Sequence, residues 1–246
     1  MRLDVAAAVR EAVSIWRRDR DVIVAVAGIF FFLPNLMLSL LLTMDSAPVS
    51  ADPATADNGA LVAALQAQLI ENAPWLAVQA LAELIGIAVL LALLLDPARP
   101  TVGAALRSVF RRLPVLVVAM LLVNAAKLGG LLLLVLPALY VIGRVFVVMP
   151  VLLAEPQRRF GDAMSRALAL TRGHVLQLLS LSALLYFGGQ LIALLLTSTA
   201  SAVSRSGGNP VTMAMLATAI AFVGAAMSTA FALVRATVYR RLASKG

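Results

Sequence analysis

The stretch 113–154, LPVLVVAMLLVNAAKLGGLLLLVLPALYVIGRVFVVMPVLLA, decides the fold. It is an almost unbroken apolar run whose only charged residues are Lys127 and Arg144. A helix rises ~1.5 Å per residue and needs ~20 residues to cross a ~30 Å hydrocarbon core. The run is too long for one crossing and suits two. Gly129, Gly130 and Pro137 supply a break. Pro137 fits the first turn of a new helix, where no N–H partner is needed. The reading is a tight helical hairpin with spans at 114–134 and 137–154.

Working outward, four further stretches have the length and apolarity of a span: 22–43, 75–95, 175–197 and 211–234. The expected architecture is therefore an all-α membrane bundle of six transmembrane helices, a single integral membrane domain over 1–246. Composition agrees. The chain is 62% hydrophobic and 13% charged, with a mean hydropathy of +0.98. Soluble domains run roughly 45–50% apolar and about 25% charged. These values exclude a soluble globule, a disordered chain and a collagen-like fibre. The run at 22–43 exceeds the 7–15 apolar residues of a secretory signal core, so it reads as an uncleaved first span.

Charge fixes the orientation. Basic residues cluster in the N-terminal arm (Arg2, Arg10, Arg17, Arg18, Arg20) and between the second and third spans (Arg99, Arg107, Arg111, Arg112). They recur between the fourth and fifth (Arg158, Arg159, Arg166, Arg172) and at the C-terminal end (Arg235, Arg240, Arg241, Lys245). The opposite connections carry only Arg205. Cytoplasmic loops of membrane proteins hold the excess Lys and Arg, so both termini read as cytoplasmic in a bacterial inner membrane. The same rule accounts for the formal charge of +8 without invoking nucleic acid.

Three cytoplasmic segments have helical periodicity. Val5, Ala8, Val9, Ala12, Val13 and Trp16 share one face of 2–16. Val102, Leu106, Val109 and Phe110 share one of 101–112, and Phe160, Ala163, Met164, Ala167 and Leu170 one of 159–171. Arginines occupy the other faces. Such helices lie in the interface with Arg near anionic headgroups, which makes membrane lipids the expected partners. Val5-Ala6-Ala7-Ala8-Val9-Arg10, Val102-Gly103-Ala104-Ala105-Leu106-Arg107 and Gly161-Asp162-Ala163-Met164-Ser165-Arg166 each open such a segment before an odd-numbered span. The spacing suggests three repeats of an amphipathic interfacial helix plus a two-span hairpin. The outer connection 44–74 is acidic, with Asp57 or Asn58 placed to cap a short helix running to Asn72.

Ionisable groups inside a span are functional candidates by default. Glu83, Lys127 and Arg144 lie ~10–14 Å from the outer span ends by residue count, and Asn35, beside Pro34, lies at comparable depth. Together they define a candidate intramembrane polar cluster. A structural ion pair explains these residues most simply; an anionic headgroup on Lys127 and Arg144, with Glu83 as counter-charge, is the functional alternative. Asp96 and Glu155 are placed at hydrated cytoplasmic span ends. His174, the one histidine, reads as a polar boundary residue. Ala217, Ala221, Ala225, Ser228 and Ala232 recur at steps of three or four, a spacing that lets helices pack closely. There is no Cys. No phosphate-binding Gly-rich loop, His-Glu-x-x-His or Gly-x-Ser-x-Gly motif occurs. No metal, cofactor or enzymatic activity is expected.

Within 129–173, Pro137-x-x-Tyr140-x-x-x-Arg144, then Pro150, Glu155, Gly161, Ala163 and Leu170-Thr171-Arg172-Gly173, resemble a family of six-span bacterial membrane proteins. The family includes the membrane domain fused in some members to glycerophosphodiester phosphodiesterases, together with stand-alone relatives. Ala138 stands where the pattern has Gly, and Ala167 where it has Ser. The resemblance implies the six-span fold. It does not imply phosphodiesterase activity, because the soluble catalytic domain of the fused members is absent from this chain. The leading functional expectation is a non-enzymatic protein that binds or handles lipids or amphiphiles near Arg144 in envelope homeostasis. A small-molecule transporter or channel and an accessory subunit of another membrane complex are the alternatives.

Overall fold

A computed structural model describes residues 5–44, 58–96, 98, 100–133, 143–155, 157, 160–207 and 209–244. Every regular element among them is helical. In lipid, backbone N–H and C=O groups must be satisfied within the chain, and helices do this segment by segment. The elements are α1 (Val5–Ala27), a π-helical turn (Gly28–Phe32), α2 (Leu33–Met44), α3 (Asn58–Glu71) and α4 (Ala73–Leu95). They continue with α5 (Val102–Leu133), α6 (Val148–Ala154), α7 (Phe160–Leu170), α8 (Val175–Arg205) and α9 (Pro210–Ala243).

Five helical segments are long and apolar enough to cross a membrane: 6–41, 73–95, 102–126, 175–205 and 210–243. They contain the expected spans at 75–95, 175–197 and 211–234, and most of 22–43 and 114–134. The helices overrun the apolar windows. Thus α9 has 34 residues, a length of ~51 Å against a ~30 Å core. Of the expected span 137–154, the apolar helix 143–154 is described; Pro137 and Tyr140 lie outside the described residues.

Three expectations change. The helix α5 continues through Gly129 and Gly130 to Leu133, so the glycine pair does not break it. The first two amphipathic segments are not separate interfacial helices. The N-terminal arm runs into the first span through a local departure at Asp19 (φ −113°, ψ 21°). The second is continuous with the third span, with Pro114 inside the helix. Only the third segment, α7, stands alone. Continuity is favoured because a helix end in the membrane leaves four backbone groups without partners.

Helix α9 is the hub, packing on α1, α2, the π turn, α4, α6 and α8, while α5 packs on α4. The small-residue stripe explains this. Ala217, Ala221, Ala225 and Ala232 are all buried, so neighbouring helices approach closely. A similar logic applies to the amphipathic segments. Ala8 and Ala12, Ala105 and Val109, and Ala163 and Ala167 are buried pairs at a spacing of four, whereas Val9, Val13, Val102 and Phe110 face outward. Trp16 and Trp75 are partly exposed near opposite ends of the bundle, as interfacial anchors require. The short helix expected to run to Asn72 is α3, Asn58–Glu71.

The π turn has an identifiable cause. Pro34 lacks an N–H, and its ring would meet the carbonyl four residues back in a regular helix. Widening the turn relieves this, and Leu33 N–H donates to the Gly28 carbonyl five residues earlier. Gly86 of α4 packs against the bulge: a Cβ there would lie 2.5 Å from Phe31 Cε1 and 2.6 Å from Phe30 Cβ.

Candidate functional site

The polar groups of the bundle form two sets. The deeper set joins α2, α4 and α9. Asn35 Nδ2 donates to the Phe31 carbonyl at 2.8 Å, and Gln79 Nε2 donates to Asn35 Oδ1 at 2.7 Å. One turn along α4, Glu83 Oε1 accepts from Ser228 Oγ of α9 at 2.6 Å. Gln79 and Glu83 are four apart, as are Gly224 and Ser228, so each pair shares one face of its helix. Gly224 leaves room for the amide: a Cβ there would lie 3.3 Å from Asn35 Oδ1. Asn35 and Glu83 thus belong to successive rungs of one ladder. Gln79 is the member missed; its position four residues before Glu83 was the available signal.

Among the described residues Arg235, which charge counting had assigned to the cytoplasmic end, lies close enough to Glu83 to feel its charge. Its guanidinium lies 5.5 Å from the Phe146 ring centroid and 5.7 Å from that of Phe231. Its buried Nε has no hydrogen-bond partner among the described residues, and Glu83 is the opposite charge that acts on it. Seven residues separate Ser228 from Arg235, so both lie on one face of α9, ~10 Å apart along the axis. The side chain of Arg235 leans towards the helix N-terminus, and so towards Ser228 and Glu83. Lys127 lies on α5, with its side chain outside the described residues.

The second set surrounds Arg144, which does not join the Asn35–Glu83 ladder. Arg144 Nη1 donates to the Leu168 carbonyl at 2.5 Å and to Thr171 Oγ1 at 3.3 Å. Leu168 is in the last turn of α7, where carbonyls lack intrahelical partners. A guanidinium satisfies such a carbonyl readily, which is why Arg144 is drawn to the α7–α8 turn rather than to mid-span. Adjacent Gly143 packs on Val175, the first residue of α8: a Cβ at Gly143 would lie 3.0 Å from the Val175 carbonyl oxygen. A cavity of about 510 Å³ opens here, lined by Arg144, Arg172, Ser165, Leu168, Gly173 and Val175 among others. Gly173 turns the chain between α7 and α8 with φ +83°, a conformation glycine adopts without steric penalty.

The remaining family-pattern residues are structural neighbours of this set. Pro150 is buried in α6. Gly161 sits in the first turn of α7 with open space around it. Glu155 is more than a hydrated span end. Its Oε1 accepts from Tyr239 Oη at 3.1 Å and lies 3.8 Å from Arg166 Nε, tying α6, α7 and α9 together. Asp96 is exposed, and its Oδ1 accepts from the Ala98 N–H at 2.9 Å. His174 is the N-cap of α8, with Nδ1 3.2 Å from Gln177 Oε1.

No family model matches the chain, and neither a curated protein nor a solved structure matches it. The resemblance over 129–173 therefore stands on its residues alone.

Proposed function

We propose that the chain is a six-span, non-enzymatic protein of a bacterial inner membrane that binds or handles anionic lipids or amphiphiles in the cytoplasmic leaflet, in support of envelope homeostasis. The cavity beside α7 carries this reading. It presents two guanidinium groups, Arg144 and Arg172, and no carboxylate among its described lining residues. Planar guanidiniums recognise phosphate through paired N–H donors. Arg144 is held in place by the Leu168 carbonyl, while Arg172 is exposed and available. Leu168 and Val175 add apolar wall suited to the glycerol and upper acyl region of a lipid.

The six-span count is supported by the apolar length of 113–154 and by the family resemblance. Cytoplasmic termini are supported by the strong arginine asymmetry. Ala8 with Ala12 and Ala105 with Val109 occupy equal places in the suggested repeat and are equally buried, which favours a duplicated unit. The third copy buries Ala163 and Ala167, one position out of register with that alignment.

Native mass spectrometry on protein extracted gently from its own membrane tests the reading. A discrete anionic lipid adduct is expected on the wild type, lost in both Arg144→Ala and Arg172→Ala. Arg172→Ala removes charge without disturbing the anchored Arg144. A bare wild-type protein, or an adduct unchanged in Arg172→Ala, overturns the reading.

A further inference from the structure

A second cavity, of about 570 Å³, opens where the local break in α1 faces the end of α4 and the start of α5. Its volume falls within the ~300–1,000 Å³ of small-molecule sites. Its charge differs from that of the Arg144 cavity. Arg18 and Arg240 supply two positive groups, and Asp19 and Asp96 two negative ones. Its wall is apolar, including Val22 and Leu93. Val22 lies about one turn beyond Asp19, and Leu93 about one turn before Asp96, so the wall reaches ~5 Å past the charged mouth.

Arg18 and Asp19 pair with each other: Nη2 donates to Asp19 Oδ2 at 2.8 Å, and Nε lies 3.2 Å from Oδ1 and 3.1 Å from Oδ2, yet the two side chains remain 54% and 34% exposed. Such exposed pairs contribute at most about 1 kcal/mol, so they do not lock the mouth. Arg240 donates one Nη2 bond to the Leu94 carbonyl. Asp96 is exposed and uses Oδ1 for the Ala98 N–H, and a carboxylate has lone pairs for further donors. A guanidinium presents five N–H donors, so both arginines retain capacity for phosphate oxygens.

We infer that this cavity is a second amphiphile site, selective for a zwitterionic phosphate–primary-ammonium headgroup such as that of phosphatidylethanolamine. Arg18 and Arg240 receive the phosphate, Asp96 receives the ammonium with the paired Asp19 adding negative charge beside it, and Val22 and Leu93 line the path of the chains. Equal numbers of opposite charges match a headgroup with no net charge. An anionic headgroup would leave both carboxylates repelling it. A quaternary trimethylammonium would satisfy the charge but has no N–H to donate to the carboxylates. The inference deepens the lipid-handling reading by adding a site and its headgroup class.

The test uses delipidated full-length protein in mild detergent, titrated with phosphatidylethanolamine, phosphatidylcholine or phosphatidylglycerol of matched chains, and read by native mass spectrometry. Wild type is expected to retain phosphatidylethanolamine about tenfold better than phosphatidylcholine, the size of one charge-assisted hydrogen bond. Asp96→Asn preserves an acceptor for the Ala98 N–H and is expected to abolish that preference. Equal retention of the two lipids by wild type, or an unchanged preference in Asp96→Asn, overturns the inference. The comparison between lipids is made on wild type, so it survives any folding defect of the variant. Displacement by soluble O-phosphoethanolamine assigns recognition to the headgroup alone; retention against it assigns the site to the intact lipid. Arg172→Ala is expected to leave the phosphatidylethanolamine preference intact while removing the anionic adduct, so failure at one cavity is distinguishable from failure at the other.

Discussion

Replacing Glu83 with Gln isolates a single electrostatic term. The amide oxygen of Gln still accepts from Ser228 Oγ, the bond measured here at 2.6 Å, so packing and hydrogen bonding persist while the charge is lost. Arg235, enclosed by Phe146 and Phe231, then loses its opposing charge. The axial offset of seven residues, shortened by the backward lean of the arginine, puts the charges ~8 Å apart. At an effective dielectric of ~20, Coulomb attraction at that separation is about 2 kcal/mol. For a chain of this size 1 kcal/mol shifts the melting temperature by ~2–4 °C, so Glu83→Gln should lower it by ~4–8 °C. Arg235→Met keeps an unbranched side chain and removes the charge that Glu83 stabilises. The double variant should therefore be more stable than Glu83→Gln alone. Thermal unfolding of wild type, both single variants and the double variant in detergent closes the cycle. Additivity within ~0.5 kcal/mol, or a double variant no more stable than the worse single one, refutes the coupling.

Three further outcomes follow from the geometry. Gly86→Ala forces a methyl against the Phe30–Phe31 bulge and should destabilise by ~1–3 kcal/mol, whereas Gly103→Ala, in open space on α5, should stabilise by ~0.4–1 kcal/mol; thermal unfolding separates them. Gly173→Ala puts a Cβ on a residue with φ +83° and should cost ~1–2 kcal/mol by the same measurement, with a reduced anionic lipid adduct because the cavity loses its turn. In intact cells, Ser206→Cys should react with an impermeant maleimide and Ser165→Cys should not; the reverse pattern overturns the assigned orientation.

Much of the fold was legible because the bilayer imposes a simple code. Apolar runs of the right length marked the helices, and the alanine stripe of α9 marked the face on which others pack. Helix ends were not legible. Hydropathy stops where the apolar run stops, but backbone hydrogen bonding continues, so α1 and α5 absorb arms that read as separate. Gly129 and Gly130 misled for a related reason. A glycine in a helix is unfavourable by only ~1 kcal/mol, less than the penalty of ending a helix in lipid. The polar site was half legible. Depth counting put Asn35 and Glu83 at one level, and they lie in hydrogen-bonded pairs one turn apart along α4. It misplaced Arg144 because depth along a span does not reveal which carbonyls a neighbouring helix end leaves without partners. It missed Arg235 because an arginine near a basic terminus resembles its solvated neighbours, and only the flanking rings of Phe146 and Phe231 distinguish it.

The arrangement also separates binding from transport. Both cavities lie at the arginine-rich end of the bundle, whereas Glu83 is ~20 Å along α4 from Asp96, thirteen residues away. Between the two levels the described α4 buries Leu84, Ile85, Ala88, Val89, Leu90 and Leu91 against its neighbours. The deeper ladder is internally satisfied: Asn35 with Gln79, and Glu83 with Ser228. A headgroup moving from cavity to ladder would break these bonds and part the α4–α9 packing. Such interhelical bonds are individually modest, ~0.6 kcal/mol on average, but the barrier also includes moving a charged headgroup through hydrocarbon. The chain should therefore hold lipid within one leaflet. Proteoliposomes carrying the full chain are expected to move fluorescent phosphatidylethanolamine between leaflets no faster than empty vesicles. Accelerated movement that Glu83→Gln abolishes would overturn this argument and make the ladder a translocation path.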